Sequence, residues 1–360
     1  MYEIFIEILI AFCIVVFIFI LSLDISSILR KRKKEPEYSE YKGKTLIMVP
    51  CKGKDITMYE NLISLKKQSY KNYKVVAIID SEEDPSRAFI KKVGFNYIIT
   101  DQNQNGSGKV KAISTALKKF RDFDAYVIAD SDVFFERTWL TNLLAPLTDK
   151  KVGVSTMYPF FKPIRKNFWS EMKMIWGFVG DSLLENEKRR FGWGGSLAFR
   201  KDLLDKKSLS FFTDSKYSVS DDISLTKIAK SKNLNISYTK TPKPIVNCDE
   251  NFGVFFEWTN RQTALTLLGY RKNLYEGLVY YSSEIILILS GIFLSIFISP
   301  IFLIFFIHTF KSIAIAYKRS RLNDLKILII VILAPFFYEV NLIVASRMKS
   351  IVWRGNKYKL

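Results

Sequence analysis

The sequence predicts an α/β domain with a mostly parallel sheet, flanked by membrane-spanning helices at both ends of the chain. Apolar runs typical of strands alternate with helical patterns between residues 45 and 275, which is the signature of repeated βαβ units. Nearly continuous apolar stretches precede and follow this region, and they are long enough to cross a bilayer. Short acidic clusters follow the predicted strands, at the edge where parallel α/β sheets bind ligands.

Composition restricts the class of partner. The 360 residues include 54 Lys and Arg against 35 Asp and Glu, a net charge of +19. This charge indicates an anionic partner, and the apolar ends favour a lipid surface over nucleic acid. The three cysteines show no paired or metal-type spacing, so we expect a reducing compartment without disulfides. The single histidine, His308, lies in a C-terminal apolar run, which excludes histidine catalysis in the middle region.

The N-terminal part is predicted to anchor the chain. Residues 1–24 form an apolar helix, and residues 25–44 form a linker containing the basic cluster Arg30–Lys34. The positive-inside rule places this linker in the cytosol. No small-residue cleavage site follows the apolar run, which favours an uncleaved anchor over a signal peptide.

Residues 45–275 carry the elements of the sheet domain. The predicted strands are Leu46–Val49, Val75–Ile79, Tyr97–Ile99 and Tyr126–Ala129, and the predicted helices are Ile56–Gln68, Ala88–Val93 and Val110–Phe120. The polar, glycine-bearing stretch between the third strand and the third helix is predicted to be a loop.

Residues 276–360 form a second membrane region with two to three apolar segments and a basic tail. Glu284–Phe310 is interrupted at Ser299–Pro300, so it is either one long tilted span or a hairpin of two. The last segment, Leu325–Ala345, contains Glu339 and other polar breaks. We favour a hairpin followed by a re-entrant or interfacial helix, since both basic segments then stay cytosolic. The chain is thus predicted to be a multi-pass membrane protein with a cytosolic sheet domain.

Asp130-Ser131-Asp132, directly after a predicted buried strand, is the strongest functional signal. Mg²⁺ or Mn²⁺ bound to a diphosphate is commonly held by one or two carboxylates together with phosphate oxygens. We therefore predict that Asp132 and Asp130 hold such a metal. The structural alternative is an ordinary turn that ends the strand.

Two further carboxylates have predicted roles. Asp80 also follows a strand and is placed to bind the base or ribose of a nucleotide, although a cap for a helix near Pro85 explains it equally well. Asp222, in the pair Asp221-Asp222, is predicted to be the general base that takes a proton from an acceptor hydroxyl. Its alternative role is to cap the helix that follows.

Two other segments are candidates for binding a sugar or a phosphate. The loop Phe191–Ser196 contains Gly195, where the backbone can approach a ligand closely, or simply turns into a strand. Trp258 and Arg261 combine an aromatic plate with a cation, which suits a sugar ring and a leaving diphosphate. An amphipathic helix at the membrane surface accounts for them equally well.

Together these motifs resemble family 2 glycosyltransferases of the GT-A fold, most closely the membrane-bound ceramide glucosyltransferases. The likeness covers nearly the whole chain and depends on the order of the motifs, which are Val49–Asp55, Asp80–Pro85, Gly108–Val110, Asp130–Asp132, Asp221-Asp222 and Trp353–Tyr358. The resemblance implies a nucleotide site containing Pro50, Lys52, Asp80 and Lys109. It also implies a metal and donor site at Asp130 and Asp132, and a base at Asp222.

One departure affects the acceptor side. The family ends its catalytic domain with a (Gln/Arg)-x-x-Arg-Trp pentad, which this chain lacks. Trp258 is expected to take the aromatic role and Arg261 to replace the missing cation. The loss of the pentad argues against a processive polysaccharide synthase.

The expected activity is inverting, metal-dependent transfer of a hexose, glucose above all, from a UDP-sugar to a membrane lipid hydroxyl. One alternative is transfer to a polyprenyl phosphate, which needs no base because phosphate is already ionised. A non-enzymatic alternative is a basic membrane protein that binds anionic lipid or nucleic acid through its charge alone.

Overall fold

Two units make up the part of the chain that the computed structural model describes, residues 2–29, 36–103, 105–322 and 324–360. The sheet unit consists of Glu37–Lys166, Gly177–Asp249 and Lys349–Leu360. The helical unit consists of the described residues within Met1–Pro36, Asn167–Trp176 and Glu250–Met348. The basic cluster Arg30–Lys34 lies outside the described residues.

Helices and strands alternate through the sheet unit, whereas long helices dominate the helical unit. The described helices are α1 (Tyr2–Leu29), α2 (Met58–Lys66), α3 (Ser86–Val93), α4 (Gly108–Lys119), α5 (Trp139–Leu144), α6 (Phe168–Glu185), α7 (Lys206–Asp214), α8 (Asp221–Ser231), α9 (Phe252–Gly269), α10 (Lys272–Phe297), α11 (Ile307–Ser320) and α12 (Lys326–Arg347). The described strands are β1 (Thr45–Pro50), β2 (Tyr73–Ile79), β3 (Asn96–Ile99), β4 (Ala125–Ala129), β5 (Val133–Phe134), β6 (Val152–Thr156), β7 (Phe160–Pro163), β8 (Ser196–Arg200), β9 (Asn235–Tyr238), β10 (Ile245–Cys248), β11 (Ser350–Trp353) and β12 (Asn356–Lys359).

The main sheet confirms the predicted fold class. Among the described residues it has seven strands in the order β3-β2-β1-β4-β8-β6-β9. β3, β2, β1 and β4 are mutually parallel, and β6 pairs with β9 in parallel, whereas β8 runs antiparallel to both of its neighbours. Each of the first four strands is one or two residues longer than its apolar run predicts.

Continuous burial explains why these strands are readable from sequence. Every residue of β4 is buried, as are the first five of β1, because helices cover both faces of a parallel sheet. Met48 and Ile128 from the strands pack with Val110 and Ile113 of α4 and Leu225 of α8 in one apolar core. This packing fixes α4 and α8 against the strands whose ends carry the acidic clusters.

The smaller sheets have no clear sequence signal. β5, β10 and β7 form a three-stranded sheet, and β11 and β12 form a hairpin near the end of the chain. These strands have two to four residues each, too few for an alternating pattern to stand out.

The helical unit contains the apolar segments. Among the described residues, four helices are long and apolar enough to cross a membrane: Glu3–Leu29, Lys272–Phe297, Pro300–Ser320 and Lys326–Arg347. The predicted interruption at Ser299–Pro300 is seen as a break after α10. The chain continues from Pro300 as a 3-10 turn that packs back on α10, and then as α11. A Cβ at Gly291 would lie 2.8 Å from the Phe306 ring, so this glycine permits the close approach.

Polar side chains join three of these helices. His308 of α11 lies between Asp24 of α1, with 2.9 Å from Nδ1 to the carboxylate, and Glu284 of α10, with 2.5 Å from Nε2. Lys311, one turn beyond His308, pairs with the other Asp24 oxygen at 2.6 Å. Asp24 and His308 are buried. The network therefore links α1, α10 and α11 inside the helical unit.

Candidate active site

The ends of three neighbouring parallel strands bring the predicted donor residues to one edge of the sheet. β2, β1 and β4 lie side by side and point the same way. Pro50 ends β1, Asp80 follows β2, and Asp130 follows β4. Because the carboxyl ends of parallel strands line a common crevice, the topology alone gathers these residues in the sheet unit.

Lys52 and Asp80 form the first contact across this edge. The ammonium nitrogen lies 3.0 Å from the Asp80 carboxylate, and both side chains are about one third exposed, at 36% and 29%. The loop itself is shaped by Gly53, whose φ of +73° is in the left-handed region and whose amide donates to Asp84 at 3.0 Å. The two predicted nucleotide residues are therefore adjacent and accessible.

Lys109 connects three segments of the site. It lies in the first turn of α4, where Ser107 caps the helix by accepting from the Val110 amide at 3.3 Å. Its Nζ is 2.6 Å from Asp130 and 3.4 Å from Asp221, and it donates to the Gly194 carbonyl at 3.2 Å. Burial acts to lower the pKa of Lys109, but Asp130 and Asp221 outweigh it and raise the pKa above its usual value. Lys109 is thus a buried, permanent cation.

The acidic pair at the start of α8 splits into two environments. Asp221 is buried, at 3% exposure, whereas Asp222 is half-buried. Burial, opposed by Lys109 and reinforced by Asp222 and Asp130, raises the pKa of Asp221 to about 7. Within the described residues its Oδ2 has no hydrogen-bond partner. Asp221 therefore belongs to the interior of the site, while Asp222 lies at its surface.

Asp222 both supports the helix start and reaches the glycine loop. Its Oδ1 accepts from the Ile223 amide at 2.7 Å and from the Ser220 hydroxyl, and its Oδ2 accepts from the Gly194 amide at 3.3 Å. The N-cap residue of α8 is Ser220, so Asp222 lies in the first turn of the helix and is not its cap. Contact with Gly194 shows that the same carboxylate also borders the site.

Glycines let this loop approach the charged residues. A Cβ at Gly194 would lie 2.6 Å from Asp221 Oδ2 and 2.9 Å from Lys109 Nζ, and one at Gly195 would lie 2.3 Å from the Trp193 ring. The predicted residue, Gly195, contributes its carbonyl to the Asp130 amide at 3.3 Å. Gly194, which we did not predict, makes the closer contacts with the ionic network.

Asp55 and Arg354 also reach this site and were not among the predicted residues. Ser131, between the two predicted metal carboxylates, donates to Asp55 at 2.5 Å. Arg354 of the C-terminal hairpin lies 2.6 Å from the other Asp55 oxygen and also donates to the Lys52 carbonyl. Both residues lie in motifs quoted above for the family, which is the signal that identifies them.

Trp258 and Arg261 lie on α9, in the helical unit. The Trp258 ring packs edge-on against Trp176 at 4.9 Å between centroids, and the Lys173 ammonium lies 4.5 Å from the centre of the Trp258 ring system. Arg261 is mostly buried and pairs with Glu257 at 3.7 Å. The roles assigned to these two residues stay predictions.

The carboxylates of this site suit a divalent cation that is also bound by the phosphate oxygens of a ligand. Among the described residues, no group of three His, Cys, Asp or Glu side chains converges to hold a metal unaided. Asp130 and Asp132 are the residues that could supply the one or two carboxylates that Mg²⁺ usually takes beside a phosphate. Lys109 and Arg354 together interact with five carboxylates, namely Asp55, Asp130, Asp132, Asp221 and Asp222. This excess of negative charge favours a bound cation.

Comparison with solved structures supports the fold. A mannosyltransferase from Pyrobaculum calidifontis, solved with GDP-mannose and Mn²⁺, is 15% identical with a TM-score of 0.56, and the match covers 94% of this chain and 97% of that one. Glucosyl-3-phosphoglycerate synthase from Mycobacterium tuberculosis, solved with phosphoglyceric acid, is 14% identical over 63% of this chain and 80% of that one. Its TM-score of 0.43 is too low to carry an argument. No curated protein matches the chain.

The family comparison covers almost every residue. The model described as Glycosyl transferase family 21 matches residues 8–360, including the acidic motifs, both apolar regions and the C-terminal hairpin. The motifs had suggested family 2, whereas the matching model is that of family 21, the family of the ceramide glucosyltransferases. The α/β sheet with its acidic carboxyl edge therefore belongs to an enzyme, a glycosyltransferase of family 21.

Proposed function

We propose that the enzyme transfers a hexose, in the first instance glucose, from a UDP-sugar to a hydroxyl group of a membrane lipid, with inversion at the anomeric carbon. The observation that carries this proposal is the ionic network in which Lys109 joins Asp130 to Asp221, with Asp222 beside them at the surface. It combines a diphosphate-binding edge with an accessible carboxylate. An inverting transfer needs both features.

The nucleotide end of the donor is assigned to the loops after β1 and β2. Asp80 and Lys52 are paired and accessible, so that a ribose or base hydroxyl can hydrogen-bond the carboxylate. Pro50 ends β1 beside them and shapes the loop. Lys109, held by Asp130, supplies positive charge toward the phosphates.

The metal is assigned to Asp132 and Asp130. When bound, Mg²⁺ or Mn²⁺ neutralises charge that develops on the departing diphosphate. The Asp130 backbone is positioned by its amide, which donates to the Gly195 carbonyl at 3.3 Å. Ser131, which is buried and donates to Asp55, fixes the turn between the two carboxylates.

Asp222 is assigned as the general base. A half-buried carboxylate is reachable by an acceptor, and its bonds to Gly194 and Ile223 hold it in one orientation. It takes the proton of the acceptor hydroxyl as that oxygen bonds to the anomeric carbon. The bond from that carbon to the diphosphate breaks at the same time, and its electron pair leaves with the diphosphate oxygen. Positioned bases contribute roughly 10² to 10⁴-fold to such rates.

The lipid acceptor is supported by the four apolar helices and by the family match. Lipid substrates reach an enzyme from within the bilayer, so a chain with such helices suits them. Trp258 and Arg261 are proposed to act on the acceptor side, with the aromatic ring against a sugar or headgroup. The sheet unit is proposed to be cytosolic, where nucleotide sugars are present.

UDP release by detergent-purified enzyme tests the proposal. UDP-glucose and other UDP-sugars are supplied with a membrane lipid extract, with and without MnCl₂. Wild type is compared with Asp222→Asn and with Asp122→Asn, an exposed carboxylate of the same unit, whose side chain is 96% accessible. We expect release that requires metal and lipid, falls about 10² to 10⁴-fold in Asp222→Asn and is unchanged in Asp122→Asn.

Other outcomes would redirect the assignment. Release that survives Asp222→Asn and requires polyprenyl phosphate would show an acceptor that needs no base, contrary to the proposal. An absence of UDP release and UDP binding under every condition would contradict a UDP-sugar donor.

A further inference from the structure

Arg354 occupies a backbone position that disfavours it. β11 and β12 pair in register and leave Arg354 and Gly355 as a two-residue turn. Their φ angles are +47° and +80°, left-handed at both positions, which is the type I′ pattern. Asn, Asp and Gly are the usual residues at the first position, because a long side chain with a left-handed backbone costs conformational energy. An arginine at a position where its backbone conformation is unfavourable indicates that its side chain has a role beyond the turn.

The guanidinium of Arg354 reaches the loop that follows β1. One terminal nitrogen lies 2.6 Å from Asp55 Oδ1, and the other donates to the Lys52 carbonyl. The second Asp55 oxygen accepts from Ser131 at 2.5 Å. Arg354 is therefore connected through one carboxylate to the centre of the Asp130-Ser131-Asp132 motif, although about 34% of its side chain remains exposed.

A second contact fixes the hairpin across the donor edge. The Tyr358 hydroxyl accepts from the Gly108 amide at 3.2 Å. Gly108 is the first residue of α4 and directly precedes Lys109. The hairpin thus touches both the loop after β1 and the helix start that carries the buried lysine, and Arg354 also interacts electrostatically with Asp132 and Asp130.

Among the described residues, Arg354 is one of three cations that a carboxylate holds at this edge. Lys52 is paired with Asp80, Lys109 with Asp130 and Arg354 with Asp55. The guanidinium has five donors in a planar fork, and it can bind Asp55 on one side and a phosphate oxygen on the other. Arg354 is partly exposed at the same edge, which leaves donors accessible to a ligand.

We propose that Arg354 is a donor-site residue whose guanidinium binds the diphosphate of the nucleotide sugar and stabilises it as it leaves. The inference rests on the proposed function, since it requires a nucleoside diphosphate in this site. It adds a cation for the diphosphate on the C-terminal hairpin of the sheet unit, separate from the role predicted for Arg261. As the bond from the anomeric carbon to the diphosphate breaks, Arg354 offsets the negative charge that the leaving oxygen gains.

Calorimetric titration with UDP and with UMP in the presence of MnCl₂ tests this role, because only UDP carries the second phosphate. The proteins are wild type, Arg354→Ala, Arg354→Lys and the control Lys357→Ala, an exposed cation of the same hairpin. We expect Arg354→Ala to lose about tenfold or more in UDP affinity, with a much smaller loss for UMP. Arg354→Lys should recover part of the loss, and Lys357→Ala should match wild type.

Turnover gives an independent measurement. In steady-state assays with saturating UDP-sugar, Arg354→Ala should lower kcat, since the contact strengthens as charge develops on the leaving group. Asp55→Asn, which removes the charge of the anchor but keeps the guanidinium, should have the smaller effect.

Three results would overturn the inference while leaving the proposed function intact. In the first, Arg354→Ala binds UDP as tightly as wild type and has an unchanged ratio of UDP to UMP affinity. In the second, Arg354→Ala loses equal affinity for UDP and for UMP. In the third, Asp55→Asn and Arg354→Ala lose equal affinity and have equally lowered melting temperatures. The last two would make Arg354 a tether for the hairpin. Failure of wild type itself to bind UDP would instead contradict the proposed function.

Discussion

Lys109 controls the electrostatics of the candidate site because it is the buried cation between two carboxylates. It lies 2.6 Å from Asp130 and 3.4 Å from Asp221, and its side chain is 8% exposed. In such surroundings an ion pair contributes little net stability, whereas removing one partner leaves a buried charge uncompensated. The lysine is therefore expected to hold the carboxylates of the site together.

Replacing Lys109 should destabilise the sheet unit. We expect Lys109→Met to cost about 3–5 kcal/mol, the typical loss when one partner of a buried pair is removed. Chemical denaturation of the detergent-purified protein, followed by tryptophan fluorescence, measures this. Lys119→Met, an exposed cation at the end of the same helix, is the control and should change stability by less than about 0.5 kcal/mol. Equal stability of the two variants would show that the Lys109 pairs are not buried charges.

Asp221 should make stability depend on pH. Its pKa is raised to about 7 by burial, so the folded protein favours the neutral acid, and stability falls as pH rises from the ordinary carboxyl range toward 7 and is then constant. Thermal unfolding from pH 5 to pH 8 should therefore show a decline that Asp221→Asn flattens. The upper bound of the effect is about 4 kcal/mol, from a shift of about three pKa units. Parallel curves for Asp221→Asn and the exposed control Asp122→Asn would contradict the shift.

Sequence reasoning could identify carboxylates, but it could not resolve their environments. Consecutive residues of a helix point about 100° apart, so Asp221 and Asp222 have different surroundings, and only packing decides which one is buried. The link between Asp55 and Arg354 was hidden because 299 residues separate them. The position of Asp80 and Asp130 at one edge of the sheet could be predicted because each follows a strand, and the topology alone places these strand ends together.

At the scale of elements, the sequence predicts best the strands that are buried along their length and the helices that are long. β1 and β4 are continuous apolar runs because the sheet is covered on both faces, and α10 to α12 are long apolar helices. Short strands such as β5, with two residues, leave no periodic signal. The break at Ser299–Pro300 could be predicted from the sequence, but the direction of the chain after it could not. A proline marks a helix boundary without determining whether the next segment continues or folds back.

The polar network of the helical unit should stabilise the packing of α1 on α11. Asp24→Ala removes the shared partner of His308 and Lys311, so Lys311 loses its carboxylate and His308 keeps only Glu284. We expect a loss of about 3–5 kcal/mol, seen as a lower midpoint for thermal aggregation in detergent. Glu7→Gln, at an exposed position of the same helix, should leave the midpoint unchanged. If the two variants behaved alike, the network would contribute nothing to helix packing.

At the scale of the whole molecule, the family model matches residues 8–360 and so includes both the sheet unit and the apolar helices. The exposed apolar side chains of α1, such as Phe5 at 65% and Ile8 at 64%, are those that lipid would cover. A net charge of +19 would add attraction to anionic headgroups. Apolar burial and charge would therefore make separable contributions to membrane binding.

Fractionation of cell membranes can separate these contributions. If the four apolar helices insert, the protein should stay with the membrane pellet in 1 M NaCl and in alkaline carbonate and should dissolve only in detergent, because screening removes only charge attraction. A charge-only association would be released by salt, and that result would exclude spanning helices. On vesicles that retain the enzyme, raising the fraction of anionic lipid should then increase activity at low salt but not at 1 M NaCl, where the Debye length is about 3 Å.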